Sequence, residues 1–345
     1  MPARRRGPRS DTSRRTNLGL LVLLAVAFVT GALAFAAGTR AGGLVVAAHG
    51  AAGLGLLALA PWKQLIVRRG LRRRRAGKPA SVALIGLVVA AVAAGVAHAA
   101  GVARLPGGLT AMQVHVGAAL AAAPLAAWHV RARPVRPRRT DLSRRALLRA
   151  GALSGGAALT WGGLEGALAA AGLPGARRRF TGSHETGSRD PAAMPVTQWI
   201  ADRVPAVDPG SWRLRLAAGH RVAELGYEQV TAFDDRLRAV LDCTGGWWAV
   251  QDWAGVRLDR LLPHTGDARS VVVTSVTGYR RRLPVADLAS LLLATRAGGR
   301  PLSAGHGFPA RLVAPGRRGF WWVKWVTSIE LDPAPWWLQP PFPTR

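Results

Sequence analysis

The stretch Leu-Asp-Cys-Thr-Gly-Gly-Trp-Trp, residues 241–248, contains Cys243, the only cysteine in a sequence of 345 residues. A single cysteine cannot form a disulfide within its own chain. One interpretation of Cys243 is a small buried apolar side chain, because free cysteines are among the most buried residues. The other rests on the threonine and two glycines that follow, which indicate a tight loop open to a ligand. Since a thiolate is a soft metal ligand, the stretch predicts either a core position or a metal site.

Outward from this stretch, the chain divides into two regions of unlike composition. Residues 1–175 are dominated by Ala, Gly, Leu, Val and Arg, whereas residues 181–345 have the mixed composition of a globular domain. The net charge of +29 first suggests a nucleic acid or an anionic membrane as a partner. In residues 181–345, however, 20 Lys+Arg stand against 15 Asp+Glu, which leaves only +5. We therefore expect no nucleic-acid partner.

The first region contains four apolar stretches long enough to span a bilayer, which takes about 20 residues. They cover residues 17–38, 43–62, 81–103 and 109–130, and a weaker fifth stretch covers residues 150–173. We predict an all-α membrane helix bundle with four spans and a fifth, connecting span.

Basic residues mark one side of this bundle. The two loops on the other side contain only Arg40 and Arg104. Three segments are rich in Lys and Arg, namely residues 1–16 with six, 63–78 with eight and 131–149 with eight. This asymmetry predicts a cytoplasmic N-terminus in the cell membrane. If the fifth stretch crosses as well, residues 181–345 lie on the extracytoplasmic side.

The segment Ser-Arg-Arg-Ala-Leu-Leu-Arg, residues 143–149, directly precedes the fifth stretch. It resembles a twin-arginine export signal, although it is internal rather than N-terminal. The alternative is an ordinary basic flank of a membrane span. Export by that route would suit a domain that takes up a cofactor in the cytoplasm and crosses already folded.

Four histidines lie in or beside the predicted spans, and ionisable residues inside a bilayer suggest a function. We predict His49 and His115 as the two axial ligands of a b-type haem, with His98 as the alternate and His129 at the cytoplasmic interface. The alternative is hydrogen bonding between helices, worth about 0.6 kcal/mol on average. The region resembles the four-helix membrane cytochrome b type.

The predicted order of segments follows from these features. They are a basic cytoplasmic tail (1–16), a four-helix transmembrane cytochrome b-like domain (17–131), a basic cytoplasmic segment with the twin-arginine-like motif (132–149), a fifth transmembrane span (150–173), a linker (174–195) and a catalytic domain (196–345).

The second region reads as a mixed α+β domain with several small sheets, because short strand-like runs are broken by turn signals. We predict strands at residues 212–216, 271–276, 310–314 and 321–330, and helices at residues 196–203, 229–239 and 285–295.

Three blocks of this region carry a family resemblance. The stretch 241–247, followed by Trp-Ala-Gly-Val-Arg-Leu (253–258), resembles the molybdenum-ligand segment of the sulfite oxidase family. The second block, Ser-Val-Thr-Gly-Tyr (275–279) before Leu283-Pro284, is similar to the family's next block. The third, beginning at His306 and including Gly319 and Lys324, resembles its pterin-binding C-terminal segment.

The blocks stand in the family's order and cover roughly residues 181–335. They are most similar to the exported bacterial branch, which includes the catalytic subunit of periplasmic methionine sulfoxide reductase. The resemblance implies an α+β sulfite-oxidase-type molybdopterin domain that binds Mo-molybdopterin, with Cys243 as the only protein ligand to molybdenum. It also implies cofactor contacts by Thr181, His184, Glu185, Ser275, His306, Arg311, Trp322, Val323 and Lys324. Thr181 and His306 depart from the branch, which usually has asparagine at both positions.

The two regions together predict a molybdopterin-dependent oxidoreductase. We expect oxygen-atom transfer on a small molecule, either a sulfite-like anion or an S- or N-oxide, with electrons exchanged through the haem with a quinone or other membrane carrier.

The three arginines at residues 280–282 either form a solvated face or attract an anionic substrate. Asp242 and Glu330 are expected to form structural ion pairs. The alternative function is a non-catalytic, membrane-anchored binding or assembly module.

Overall fold

The computed structural model describes residues 8–71, 78–102, 105, 109–199 and 202–343. Part of the predicted basic tail (1–7), part of the basic loop (72–77) and Arg104 lie outside these residues. The chain forms two compact units, a helical unit up to Gly182 and a sheet unit from Ser183 onward, except that Ala36–Thr39 group with the sheet unit.

The helical unit follows the predicted spans closely. Its helices are α1 (Pro8–Ala36), α2 (Gly42–Ala58), α3 (Ala60–Leu71), α4 (Lys78–Ala100), α5 (Ala111–Ala132) and α6 (Arg144–Ala170). Helix α1 starts inside the predicted tail, so the first helix is longer than expected. Helix α5 starts at a capping box, in which the Thr110 side chain accepts from the Gln113 backbone N–H at 3.1 Å and Gln113 Oε1 accepts from Thr110 N–H at 2.8 Å.

The second predicted span is bent. Helices α2 and α3 meet at an angle of 40°. Pro61 has no N–H to donate to the carbonyl one turn earlier, and this loss accounts for the break.

Among the described residues, three helices are long and apolar enough to cross a membrane: Thr12–Ala36, Pro79–Ala100 and Ala111–Ala132. The bent pair would make a fourth if it counts as one span. Helix α6, the predicted fifth span, is not among them. The helices are compatible with a membrane anchor, whereas the fifth crossing stays a prediction.

The sheet unit has the predicted α+β character. Its strands are β1 (His184–Glu185), β2 (Arg213–Ala218), β3 (Arg221–Gly226), β4 (Asp235–Cys243), β5 (Trp247–Arg257), β6 (Ser270–Ser275), β7 (Arg280–Pro284), β8 (Leu292–Ala297), β9 (Arg300–Pro301), β10 (Arg311–Val313) and β11 (Val326–Asp332). Two short helices, α7 (Tyr227–Thr231) and α8 (Leu258–Leu261), connect them.

Within the described residues these strands form two sheets. One has the order β1-β5-β8-β10, with β4 paired to β5 and β9 to β8, and the other has the order β3-β2-β11-β6-β7. Buried side chains such as Trp253, Leu293, Leu312 and Ile329 form the core. The longest pairing joins β4 and β5 antiparallel and ends with Cys243 opposite Trp247. This hairpin places the cysteine at the end of a strand.

Three of the four predicted strands are confirmed as β2, β6 and β10. The strand predicted for 321–330 begins only at Val326, because Gly319–Trp321 form a helical turn and Trp325 has a positive φ of 52°.

The predicted helices are wrong over most of their length: residues 229–231 lie in α7, and residues 200–201 lie outside the described residues. Residues 196–199 form no helix, and the predicted 229–239 helix gives way to β4 at Asp235. From Asp235 to Leu241, every second residue is the less exposed one, with the period of two that marks a strand. The predicted 285–295 helix is one helical turn followed by β8.

Candidate functional site

Cys243 lies at the tight turn between β4 and β5. The Gly246 N–H donates to the Cys243 carbonyl at 3.1 Å, and Gly246 has φ +89°, which favours glycine. The Cys243 Sγ accepts from the Gly245 N–H at 3.3 Å and lies 3.3 Å from Thr197 Oγ1. Only 9% of the residue is exposed. The thiol is therefore held in place but is not sealed into the core.

A cluster of buried polar side chains, Arg318, Asp242 and Ser183, contacts the turn that contains Cys243. Arg318 Nη1 donates to Asp242 Oδ1, and Ser183 Oγ donates to the same oxygen at 2.8 Å. Arg318 Nη2 also donates to the Cys243 carbonyl at 3.3 Å. A Cβ on Gly319 would lie 3.0 Å from Cys243 Cα, so glycine allows this close approach. Asp242 is thus a structural ion-pair partner, as predicted.

Glu330 also forms the predicted ion pair, with Arg215 at 2.5 Å on the surface.

Arg311 is a fully buried cation. Its guanidinium lies 5.1 Å from the ring centre of Trp253 and 5.7 Å from that of Trp322, and Nη1 donates to the His306 carbonyl at 3.1 Å. Burial lowers the Arg311 pKa to about 10, and Cys243 acts in the opposite direction. Nε of Arg311 has no hydrogen-bond partner among the described residues. Such a donor fits an anionic group that this part of the chain does not supply.

Lys324 is the second cation near the thiol. Its Nζ donates to the Thr197 carbonyl at 2.7 Å and to the Gly305 carbonyl at 2.6 Å. Burial, and then Arg311, lower the Lys324 pKa to about 7, while Cys243 raises it. An ammonium has three donors, and the described carbonyls accept from two of them.

His306 is buried between a hydroxyl and a carbonyl. Its Nε2 lies 3.1 Å from the Met194 carbonyl, which can only accept, so Nε2 carries the hydrogen. Nδ1 then accepts from Ser303 Oγ at 2.8 Å. Burial lowers the His306 pKa, as do Arg311 and Lys324, whereas the hydrogen bond to Met194 raises it.

Two more residues with predicted cofactor contacts are His184, which lies beside the cysteine turn, and Ser275, which lies at the end of β6. The backbone N–H of His184 donates to the Gly246 carbonyl at 2.9 Å, because β1 runs parallel to β5 here. Ser275 ends β6, and its Oγ accepts from the Thr277 N–H at 3.2 Å.

The remaining residues with predicted cofactor contacts are Glu185, Val323 and Thr181. Glu185 Oε1 accepts from the Ser188 N–H at 2.8 Å. The backbone carbonyl of Val323 accepts a hydrogen bond from the Leu312 N–H at 2.7 Å. Thr181 is buried but belongs to the helical unit, so its predicted contact stays a prediction.

Thr197 is a site residue that the sequence did not reveal. Its hydroxyl lies beside Cys243 Sγ, and its carbonyl accepts from Lys324. Nothing in its local sequence signals this role, because its contacts are 46 and 127 residues away.

Trp247 was missed as well, although it directly follows the glycines. Its buried Nε1 has no hydrogen-bond partner among the described residues.

The arginine run at 280–282 is not one solvated face. Arg280 is exposed, but Arg281 is 2% exposed and lies over the rings of Phe320 and Trp321, at 5.3 and 4.1 Å. Arg282 forms an ion pair with Asp332 at 2.8 Å. The solvated-face interpretation therefore applies only to Arg280.

The helical unit brings together two of the predicted haem ligands. The ring centres of His49 and His115 are 5.6 Å apart, and the ring planes make an angle of 88°. His98 instead has its Nε2 3.0 Å from the Gly182 carbonyl, and His129 Nδ1 lies 3.4 Å from Ser81 Oγ. The pair predicted first is the one in contact.

Most of the sheet unit is similar to known proteins. Residues 201–337 match the family described as oxidoreductase molybdopterin binding domain. Mitochondrial sulfite oxidase from Homo sapiens is 28% identical, over 38% of this chain and 31% of its own. The uncharacterized oxidoreductase YuiH from Bacillus subtilis (strain 168) is 32% identical, over 31% of this chain and 57% of its own. The chain thus spans about a third of the sulfite oxidases that it matches.

The solved structure of the sulfane dehydrogenase SoxCD from Paracoccus pantotrophus matches 38% of this chain and 40% of its own. Its identity of 23% and TM-score of 0.36 are low. The family match over residues 201–337, together with the sulfite oxidase relatives, supports an oxidoreductase that carries a molybdopterin-binding domain.

Proposed function

We propose that the protein is a membrane-anchored Mo-molybdopterin oxidoreductase that transfers an oxygen atom to or from a small substrate. The observation that carries this proposal is the arrangement around Cys243: a thiol at a strand end, with two buried cations and a glycine backbone beside it.

The residues of the site fit the cofactor. Cys243 would ligate molybdenum, since a thiolate is a soft ligand. Arg311 and Lys324 would hold the pterin phosphate, with the unpartnered Nε of Arg311 and the remaining ammonium donor of Lys324 available to its oxygens. Trp247 Nε1 offers one more buried donor. His184, Glu185, Ser275, His306, Trp322 and Val323 complete the proposed contacts within the sheet unit.

The bound cofactor supplies two-electron oxygen-atom chemistry, and the protein supplies binding, orientation and electrostatics. The Gly245 N–H donates to the Cys243 sulfur, and Arg311 and Lys324 are the two buried cations near it. The Asp242–Arg318 pair fixes the carbonyl of Cys243 and with it the direction of the thiol.

The substrate belongs to one of two classes, a sulfite-like anion that is oxidised or an S- or N-oxide that is reduced. Assays with sulfite and an electron acceptor, and with methionine sulfoxide or trimethylamine N-oxide and an electron donor, distinguish them.

The helical unit, in our proposal, binds a b-type haem through His49 and His115 and passes electrons between a quinone or other membrane carrier and the molybdenum. Both histidines hold their Nδ1 on a backbone carbonyl, His49 on Ala27 at 2.9 Å and His115 on Ala91 at 2.7 Å. A carbonyl accepts only, so Nδ1 carries the hydrogen and Nε2 keeps the lone pair that iron requires.

The proposed location is the cell membrane, with the sheet unit on the extracytoplasmic side. The positive charge of the loops supports the orientation, and the fifth crossing is part of the proposal. The segment 143–149 would direct export of the folded domain.

Metal analysis and a reduced-minus-oxidised optical spectrum of the purified full chain test this function. We expect close to one molybdenum per chain and the α band of a b-type haem. Haem without molybdenum, in protein made by cells that supply the cofactor, would overturn the catalytic proposal and favour the non-catalytic module. Molybdenum without haem would leave the enzyme but remove its proposed electron route.

A further inference from the structure

Each histidine of the pair His49 and His115 contacts the neighbouring helix at a backbone carbonyl and at a glycine. We call this arrangement a socket. His49 of α2 bonds to the Ala27 carbonyl of α1, and a Cβ on Gly31 would lie 3.0 Å from its Cε1. His115 of α5 bonds to the Ala91 carbonyl of α4, and a Cβ on Gly95 would lie 3.0 Å from its Nδ1.

In both sockets the acceptor carbonyl stands one helical turn before the glycine. The carbonyl and the bare glycine backbone are therefore two features of one recurring socket.

The socket fixes how each imidazole is turned about its own axis. The Nδ1 hydrogen bond sets one edge of the ring. The glycine lies beside the same edge, because a Cβ at that position would come within 3.3 Å of both Nδ1 and Cε1 in each ring. A methyl group at either glycine would be closer to the ring than ordinary van der Waals contact. With both sockets in place, the two ring planes are 88° apart.

We infer that Gly31 and Gly95 are positioning residues that hold the two axial imidazoles of the proposed haem perpendicular to each other. This inference rests on the haem of the proposed function. The ring centres are 5.6 Å apart, and each socket sets the rotation of its own ring. Outer contacts of this kind orient metal ligands and tune the metal.

Perpendicular ligand planes have a spectroscopic signature that a purely structural role for the glycines would not produce. In low-spin ferric haem, parallel imidazole planes give an electron paramagnetic resonance (EPR) spectrum with three resolved g values. Perpendicular planes give a strongly anisotropic spectrum dominated by one high g value. The wild-type full chain in detergent or nanodiscs should show the second type.

Gly95→Ala and Gly95→Leu should move the spectrum toward three resolved g values, and the leucine variant should lower haem affinity on the order of 10-fold. The matched controls are Gly86→Ala and Gly86→Leu on the same helix, because a Cβ on Gly86 meets nothing within 4 Å. Gly31→Ala and Gly31→Leu should behave like the Gly95 variants, with Gly53 of α2, which is equally open, as control.

The outcomes separate this inference from the proposed function. If the wild-type protein contains no haem after expression with added haem, both the proposed haem and the role of the two glycines are overturned. Haem with a three-g-value spectrum in the wild type, or Gly95→Leu matching Gly86→Leu in spectrum and haem content, overturns the inference and leaves the haem. A high-g wild-type spectrum that changes only in the Gly31 and Gly95 variants supports it.

Discussion

The helical unit and the sheet unit present their candidate ligands in different ways. In the helical unit, His49 and His115 each rely on one neighbouring helix, and the arrangement occurs twice. In the sheet unit, Cys243 relies on segments far apart in sequence, with Thr197 on one side and Arg318 on the other.

The difference shows how each fold makes a rigid site. Helices supply a regular backbone, so a carbonyl and a glycine one turn apart suffice for a socket. A strand end has no such repeat, so a buried ion pair and glycines at close approach hold the cysteine instead. The units should therefore respond independently to mutation, and the following experiments test that expectation in order of decreasing effect.

Cys243→Ser should separate the two units most sharply. A serine hydroxyl is a harder and poorer ligand than a thiolate, so we expect loss of nearly all molybdenum and of the oxygen-atom transfer activity, with haem content unchanged. Thr244→Ala, at the neighbouring residue, is the control and should retain molybdenum. Metal analysis and the optical spectrum measure both cofactors in one sample. If Cys243→Ser also loses haem, the units are not independent.

Arg318→Met tests the support behind the cysteine. It removes one partner of a buried pair and leaves the Asp242 carboxylate without its cation, which typically costs about 3–5 kcal/mol in the free energy of unfolding. The control is Arg215→Met, whose pair with Glu330 is exposed and should contribute about 0–1 kcal/mol.

Denaturant unfolding followed by tryptophan fluorescence measures the difference. Equal losses in the two arginine variants would show that the buried cluster does not stabilise the turn, whereas an unchanged haem spectrum in Arg318→Met would confirm independence.

Lys324 predicts a dependence of the cofactor-free sheet unit on pH. Burial lowers its pKa from 10.5 to about 7 in the folded protein, so between these values the unfolded chain binds more protons. Stability should therefore rise with pH between about 7 and 10.5, by up to about 1.4 kcal/mol per pH unit from this group. Below pH 7 its unfavourable contribution is complete, and above 10.5 it is absent.

Lys324→Met should flatten that slope. Cofactor loading should flatten it too, since the proposed phosphate would favour the charged ammonium. Thermal unfolding at several pH values measures the slope, and a slope equal in wild type and Lys324→Met would contradict the assignment.

The two units also differ in how much of their structure could be predicted from the sequence. Hydropathy located the helices to within a few residues in most cases, and the break at Pro61 follows from the missing N–H of proline. His49 and His115, the pair predicted from the sequence, are in ring contact, and their role as haem ligands stays a prediction.

In the sheet unit, the resemblance around Cys243 pointed to the cysteine and both cations, but local pattern misassigned β4 and β8 as helices. Amphipathic runs of this length fit either period, and pairing with β5 decides between them. The role of Thr197 depends on tertiary contacts alone, so no local signal could reveal it.

The smallest expected effect comes from a difference between the two histidine sockets. Thr30 Oγ1 lies 3.3 Å from His49 Nδ1, and the residue before Gly95 in the other socket is Ala94, which has no hydroxyl. The Thr30 hydroxyl donates to the Val26 carbonyl at 2.6 Å, so toward His49 it is an acceptor. A second acceptor on Nδ1–H would make the imidazole a stronger electron donor to the iron of the proposed haem and would lower its potential.

Thr30→Ala should therefore raise the midpoint potential of the proposed haem, by less than about 60 mV, which corresponds to a tenfold change in a one-electron equilibrium. Thr16→Ala is the matched control, since Thr16 on the same helix donates to the Thr12 carbonyl at 3.0 Å. Optical redox titration measures both variants. Because the hydroxyl touches His49 and not His115, the EPR spectrum should keep its single high g value while the potential moves. A potential that falls, or that shifts equally in both variants, would show that the hydroxyl does not act on the haem through His49.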